Sequence, residues 1–157
     1  MDGSAAGLPA AGRLVDDRDV TVDSASLVRK LKLGSARRPV VLGGPSGYRE
    51  ALALARDGAI GDTVDGRHDW IQLFARDRAA LEAGLPAAAQ ALDDPGILWI
   101  SYPKGSSKIQ TDLTRDAGWD AVAAADLMWL SLISIDDTWS AFSLRRYRPG
   151  EARQSFR

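Results

Sequence analysis

Residues 39–56 read Pro-Val-Val-Leu-Gly-Gly-Pro-Ser-Gly-Tyr-Arg-Glu-Ala-Leu-Ala-Leu-Ala-Arg. A short apolar run, Pro39 to Leu42, enters a loop of Gly43, Gly44, Pro45, Ser46 and Gly47. Tyr48 to Arg56 then carries Leu52 and Leu54 among helix-forming alanines. The order is strand, glycine loop, helix. A second unit follows: Trp70, Ile71, Leu73 and Phe74 form another apolar run, and Asp77 caps a helix whose Leu81, Leu85, Ala88 and Leu92 recur at three and four residues. Pro86 is expected to break that helix in two. Asp94-Pro95-Gly96 turns into Ile97-Leu98-Trp99-Ile100, an unbroken apolar run of the kind that parallel strands covered on both faces require. Thr111 is placed to cap a helix carrying Leu113, Ala117, Ala121, Val122 and Ala125, in which Gly118 costs roughly 1 kcal/mol against Ala. Ahead of the first strand, Ser24 or Ser26 caps a short helix with Leu27, Val28 and Leu31 on one face, and Gly34 suits its left-handed ending.

The chain finishes differently. Trp129 to Ile135 and Trp139 to Arg146 are β-rich runs separated only by Asp136, Asp137 and Thr138, which predicts an antiparallel hairpin. Strand–helix units ending in a hairpin predict an α/β fold, a three-layer sandwich with a mostly parallel sheet and one reversed strand. At 157 residues there is room for one domain of the usual roughly 100–200 residues. That domain is expected over 27–147, between a flexible Ala/Gly-rich leader, 1–26, and a tail, 148–157, that opens on Arg148-Pro149-Gly150.

Composition removes whole classes of chemistry. With Cys 0 and His 1, the chain has no thiol nucleophile, disulfide or Cys/His zinc site, and any Ser–His chemistry would depend on His68 alone. His68 has no partner at helical or strand spacing, so it reads as a surface or strand-entry residue rather than a base. A net charge of −1 gives no strong global field. Arg29, Lys30, Lys32, Arg37 and Arg38, with Arg145, Arg146 and Arg148, are clustered cations of the kind that can track phosphates. No nucleic-acid motif accompanies them, and nucleic-acid binding stays a minor expectation. No apolar run approaches the ~18 residues of a membrane span, and no signal-peptide pattern opens the chain, so a cytoplasmic protein is expected.

The glycine loop after the first strand and the terminal hairpin together resemble the Rossmann-like fold of S-adenosylmethionine-dependent methyltransferases. Four further stretches carry a closer resemblance: Asp69-Trp70-Ile71-Gln72-Leu73-Phe74, Leu98-Trp99-Ile100-Ser101-Tyr102-Pro103-Lys104, Thr111-Asp112-Leu113-Thr114 and Asp136-Asp137-Thr138-Trp139-Ser140. This order, spanning about Leu27 to Arg146, is similar to a family of small bacterial proteins known only as a domain of unknown function. Its members look like shortened versions of the methyltransferase fold. The methyltransferase resemblance implies a Gly-x-Gly-x-Gly loop against the cofactor and an acidic residue on the ribose hydroxyls. Gly43 and Gly47 match the outer glycines, but Pro45 stands at the middle one and brings a ring in place of an N–H donor. Residues 57–68 are also too few for a second strand, its helix and a third strand, since a βαβ unit takes some 30 residues. At most Thr63-Val64 makes a stub there, and Asp62 or Asp65 is left to imitate the ribose acid.

The reading that follows is a non-catalytic, methyltransferase-like protein without a cofactor, binding a small anionic ligand or a protein partner at the carboxyl edge of its sheet. S-adenosylmethionine would enter only if the chain is an active methyltransferase of unusual pocket. The candidate ligand-binding residues are Gly43, Gly44, Ser46 and Gly47 in the first loop, Arg76 after the second strand, and Lys104, Ser106, Ser107, Lys108 and Thr111 after the third. Asp136 and Trp139 at the hairpin complete the set. In Lys104 to Lys108, two ammonium groups and two hydroxyls beside a helix start at Thr111 suit a phosphate or carboxylate. Asp136-Asp137 resembles a carboxylate pair, although aspartates at tight turns commonly bond their own backbone. Trp139 reads either as a stacking platform or as an anchor under the sheet edge.

Overall fold

A computed structural model describes residues 18–154, with side chains from residue 24 onward. Helix α1 (Arg18–Lys30) leads into β1 (Pro39–Leu42), α2 (Tyr48–Arg56), β2 (His68–Phe74), α3 (Arg78–Ala91) and β3 (Leu92–Pro103). The short α4 (Asp120–Ala124) and the hairpin β4 (Leu127–Ser134) and β5 (Trp139–Arg146) complete the fold. The five strands lie in the order β1-β2-β3-β5-β4, and β5 alone runs against its neighbours. Leu27 of α1, Leu31 just after it, and Tyr48 and Leu52 of α2 pack on one face of the sheet. Leu81, Leu85, Ala88 and Val122 from α3 and α4 pack on the other. This is the expected three-layer α/β sandwich.

The indole N–H groups of Trp70 and Trp99, both fully buried, donate to the same carbonyl, Leu31 O, at 2.8 and 2.9 Å. They satisfy a carbonyl left over at the end of α1 and lock that helix onto the middle of the sheet. Several local expectations need correction. Helix α1 is already formed at Arg18, ahead of Ser24 and Ser26, so neither serine caps its start, and the left-handed residue after it is Lys32 (φ 57), not Gly34. Pro86 does not split α3, which is one helix from its Asp77 cap, whose carboxylate accepts from Ala80 N at 2.8 Å. An exposed proline is tolerated there because Leu85, Ala88 and Ala89 around it are buried. No helix starts near Thr111: its hydroxyl accepts from Leu113 N at 3.0 Å in a local turn, and α4 is confined to Asp120–Ala124 beyond Gly118 at φ 98. The cost of an interior glycine is avoided by starting the helix after it.

The segment between α2 and β2 adds one further pairing to the sheet. Passing from β1 to β2 and from β2 to β3 steps across the sheet in one direction, yet α2 and α3 lie on opposite faces. Both crossovers therefore cannot be right-handed. After α2, however, the chain first returns to the outer side of β1, where Gly61 pairs parallel to Val40. There Val41 N donates to Gly61 O at 2.9 Å and Gly61 N to Pro39 O at 3.0 Å. With Gly61 counted as the strand to which α2 leads, that unit steps outward and the handedness rule is met. The stub is thus a single bridge at Gly61, not at Thr63-Val64.

The segment after Tyr147 is also pinned, through charge rather than apolar contact. Glu151 receives both guanidinium arms of Arg145 at 2.9 Å, Arg153 grips Asp126 at 2.6 and 2.9 Å, and the Gln154 amide brackets the backbone of Trp129. The leader residues 1–17 and the last three residues lie outside the described part. Among the described residues no helix is long and apolar enough to cross a membrane.

Candidate functional site

Because β1, β2, β3 and β4 run parallel, the loops after Leu42, Phe74, Pro103 and Ser134 emerge at one edge of the sheet. All four candidate loops are therefore brought to the carboxyl edge. There they divide into two groups.

The first surrounds the glycine loop. Gly43 (φ 72) and Gly47 (φ 82) occupy the left-handed region that glycine reaches without penalty, and Pro45 O accepts from Tyr48 N at 3.1 Å to start α2. Gly43, Gly44, Ser46 and Gly47 line an open cleft of about 260 Å³ with Arg49, Glu50 and Asp62. Asp62 is thus the acid facing the loop, while Asp65 lies elsewhere, its backbone N–H bonded to His68. Arg49 is already engaged, donating to Ile60 O at 2.7 Å and to Glu50 at 3.1 Å, with Asp62 at 4.0 Å. One cation against two carboxylates makes this cleft unattractive to an anion.

The loop is also occupied by its own protein. A Cβ on Gly44 would stand 3.0 Å from Val41 Cγ1 and 3.3 Å from the Phe74 ring. Phe74 in turn meets Tyr48 and Trp139 edge to face, both with centroids 5.0 Å apart. Beneath this aromatic wedge the Tyr48 hydroxyl donates to Gln72 Oε1 at 3.0 Å, and Gln72 Nε2 donates to Ser101 Oγ at 2.9 Å. Burial, with a smaller contribution from Asp136, raises the Tyr48 pKa well above that of an ordinary phenol, so the hydroxyl stays a donor. The buried chain Tyr48–Gln72–Ser101 was not anticipated. Its only trace in the sequence is a glutamine in the apolar run of β2.

The second group gathers at the hairpin. Lys104 N donates to Thr138 O at 2.7 Å, and Ser107 folds back onto Lys104 O through its N–H at 2.9 Å and its hydroxyl at 2.7 Å. Asp136 is a turn residue: its Oδ1 accepts from Thr138 N at 2.8 Å and Trp139 N at 2.9 Å. Trp139 is half-buried and serves as the anchor of the aromatic wedge. Arg76, Ser106 and Lys108 are exposed and make no hydrogen bond or ion pair among the described residues. Two residues not foreseen as ligand contacts join this group. Lys104 Nζ donates to Ser134 Oγ at 2.7 Å, and Lys30 Nζ reaches Ser134 O at 2.9 Å.

His68 is the strand-entry residue of the two readings, the first residue of β2, and it is buried rather than at the surface. Its Nδ1 lies 2.9 Å from Arg38 O and its Nε2 accepts from Asp65 N at 2.9 Å, a fully used structural imidazole. The late arginines are similarly committed: Arg145 to Glu151, and Arg146 to the carbonyls of Ala89 and Leu92. Among the described residues no group of three or more His, Cys, Asp or Glu is placed to hold a metal ion.

No protein-family model and no curated protein matches the chain. Solved structures do. The mitomycin 7-O-methyltransferase MmcR superposes with a TM-score of 0.63 at 10% identity, over 81% of this chain and 54% of its own. The pyocyanin biosynthetic protein PhzM gives 0.60 at 13%, over 83% and 55%. The chain has a methyltransferase-like fold. An S-adenosylmethionine-dependent methyltransferase from Clostridium acetobutylicum ATCC 824 gives 0.52 at 9%, over 84% of this chain and 92% of that one. The chain spans about half the length of the first two structures, and at these identities the likeness is one of fold.

Proposed function

We propose that this methyltransferase-like chain is non-catalytic and binds a small anionic ligand at the carboxyl edge of its sheet. The observation that carries the reading is the wedge of Tyr48, Phe74 and Trp139 packed against a glycine loop in which a Cβ at Gly44 would press on Val41 and Phe74. The remaining cleft of about 260 Å³ falls below the ~300–1,000 Å³ of pockets that enclose drug-sized ligands. Its acidic lining favours neither phosphate nor carboxylate. Lys104, Lys108 and Arg76, in the loops after β3 and β2, have no acidic partner among the described residues. Phosphorylated compounds are expected to raise the melting temperature through binding linkage. Lys104→Ala combined with Lys108→Ala should abolish that rise while leaving the protein folded. A panel of anions that shifts the melting temperature of the wild type nowhere would overturn the reading.

One observation favours a second reading, an S-adenosylmethionine-dependent methyltransferase of unusual pocket: Asp62 faces the glycine loop, where an acid could hold ribose hydroxyls. Direct calorimetry with the cofactor separates the two.

A further inference from the structure

Two lysines far apart in the sequence converge on one residue. Lys30, in the last turn of α1, donates to the Ser134 carbonyl at 2.9 Å, and Lys104, just beyond β3, donates to the Ser134 hydroxyl at 2.7 Å. Neither ammonium forms an ion pair with a carboxylate among the described residues. The acids that follow in the chain are Asp136 and Asp137. Asp136 has one carboxylate oxygen spent on two amides of the turn, and Asp137 is exposed. Two ammonium groups that bond the same residue, neither of them ion-paired, can both reach an anion seated at that residue.

We propose that Lys30, Lys104 and Ser134 form the anion site of this protein, and that it takes a compact dianion of the phosphate type. The assignment rests on the anion-binding reading above and gives it a place. A tetrahedral dianion offers several strong acceptor oxygens, so it can take a charge-assisted bond from each ammonium and one from the Ser134 hydroxyl. The site joins three elements, α1, the loop after β3 and the end of β4, so occupancy ties the leading helix to the hairpin. It also separates the two halves of the carboxyl edge by charge. The glycine cleft holds Glu50 and Asp62 against Arg49, whereas the hairpin end sets Lys30 and Lys104 against Asp136 and Asp137, with Asp136 turned to the amides of its own turn.

The test is titration of the full chain with inorganic phosphate, followed by calorimetry and ³¹P line broadening, against sodium chloride at matched ionic strength. Lys30→Gln keeps a donor for the Ser134 carbonyl and removes the charge. It should weaken phosphate binding at least tenfold while the melting temperature without phosphate stays as in the wild type. Ser134→Ala should weaken binding severalfold. Arg37→Gln, the same change of charge before β1 at the opposite edge, should bind as the wild type does. If Lys30→Gln binds phosphate as tightly as the wild type, the site is wrong even where Lys104→Ala with Lys108→Ala loses anion stabilisation, and the broader reading survives. If the wild type binds no phosphate and is stabilised by no other anion, both fail.

Discussion

Gly44 lacks a side chain for the benefit of Phe74, and this one contact decides how the glycine loop is understood. In a nucleotide site a glycine keeps space open for the ligand, and alanine there is tolerated until the ligand arrives. Here a Cβ would meet Val41 at 3.0 Å and the Phe74 ring at 3.3 Å. Gly44→Ala is therefore expected to destabilise the protein by about 1–3 kcal/mol, as overpacking does. Phe74→Leu should suppress part of that loss in a double-mutant cycle read by chemical denaturation. An alanine variant as stable as the wild type would mean that the space belongs to something else. At this scale the sequence was legible wherever a residue answers to its neighbours. Asp77 as a cap and Asp136 as a turn residue follow from position alone. Lys30 and Ser134, 104 positions apart, could not be paired without the fold, and neither could Gly44 and Phe74.

Each element shows how far local pattern reaches. The strand cores were readable because apolar runs and the tight hairpin are local signals, but β3 begins earlier than expected: Leu92, read as the end of α3, and Asp94-Pro95-Gly96, read as a turn, both belong to it. The helix expected from Thr111 was not found, because its apolar residues are buried just as well by a loop: Leu113 is fully buried, and the Trp119 indole donates to Thr114 O at 2.6 Å. The end of the chain misleads in the opposite direction, since it lacks apolar residues yet is held by charge. The paired Arg145 guanidinium, helped by Arg148 N–H, lowers the Glu151 pKa to about 2 from its ordinary 4.5. A carboxyl whose pKa falls on folding contributes fully above its unfolded value, and its contribution is lost as pH falls through the folded one. The clamp on Arg148–Gln154 should therefore hold above about pH 4.5 and loosen progressively towards pH 2. Amide exchange at Trp129 and Gln154 should report the loosening before the central strands respond. Glu151→Gln should show the same loosening at neutral pH, and unchanged protection in that variant would remove the clamp from the account.

Over the whole molecule the layout is methyltransferase-like, and beyond β1 the chain adds one bridge at Gly61. The fold class was legible because repeated strand–loop–helix units allow few topologies. The aromatic wedge was not, because Tyr48, Phe74 and Trp139 meet only once the ends of β1, β2 and β5 are aligned. The site followed the same pattern: the loops were foreseeable from topology, and the division of charge between them was not. The central proposal is that this chain has a methyltransferase-like layout without a nucleoside pocket. Isothermal calorimetry with S-adenosylmethionine and S-adenosylhomocysteine tests it most directly. The account predicts no binding tighter than about millimolar, near −4 kcal/mol, whereas micromolar affinity for either compound would contradict it.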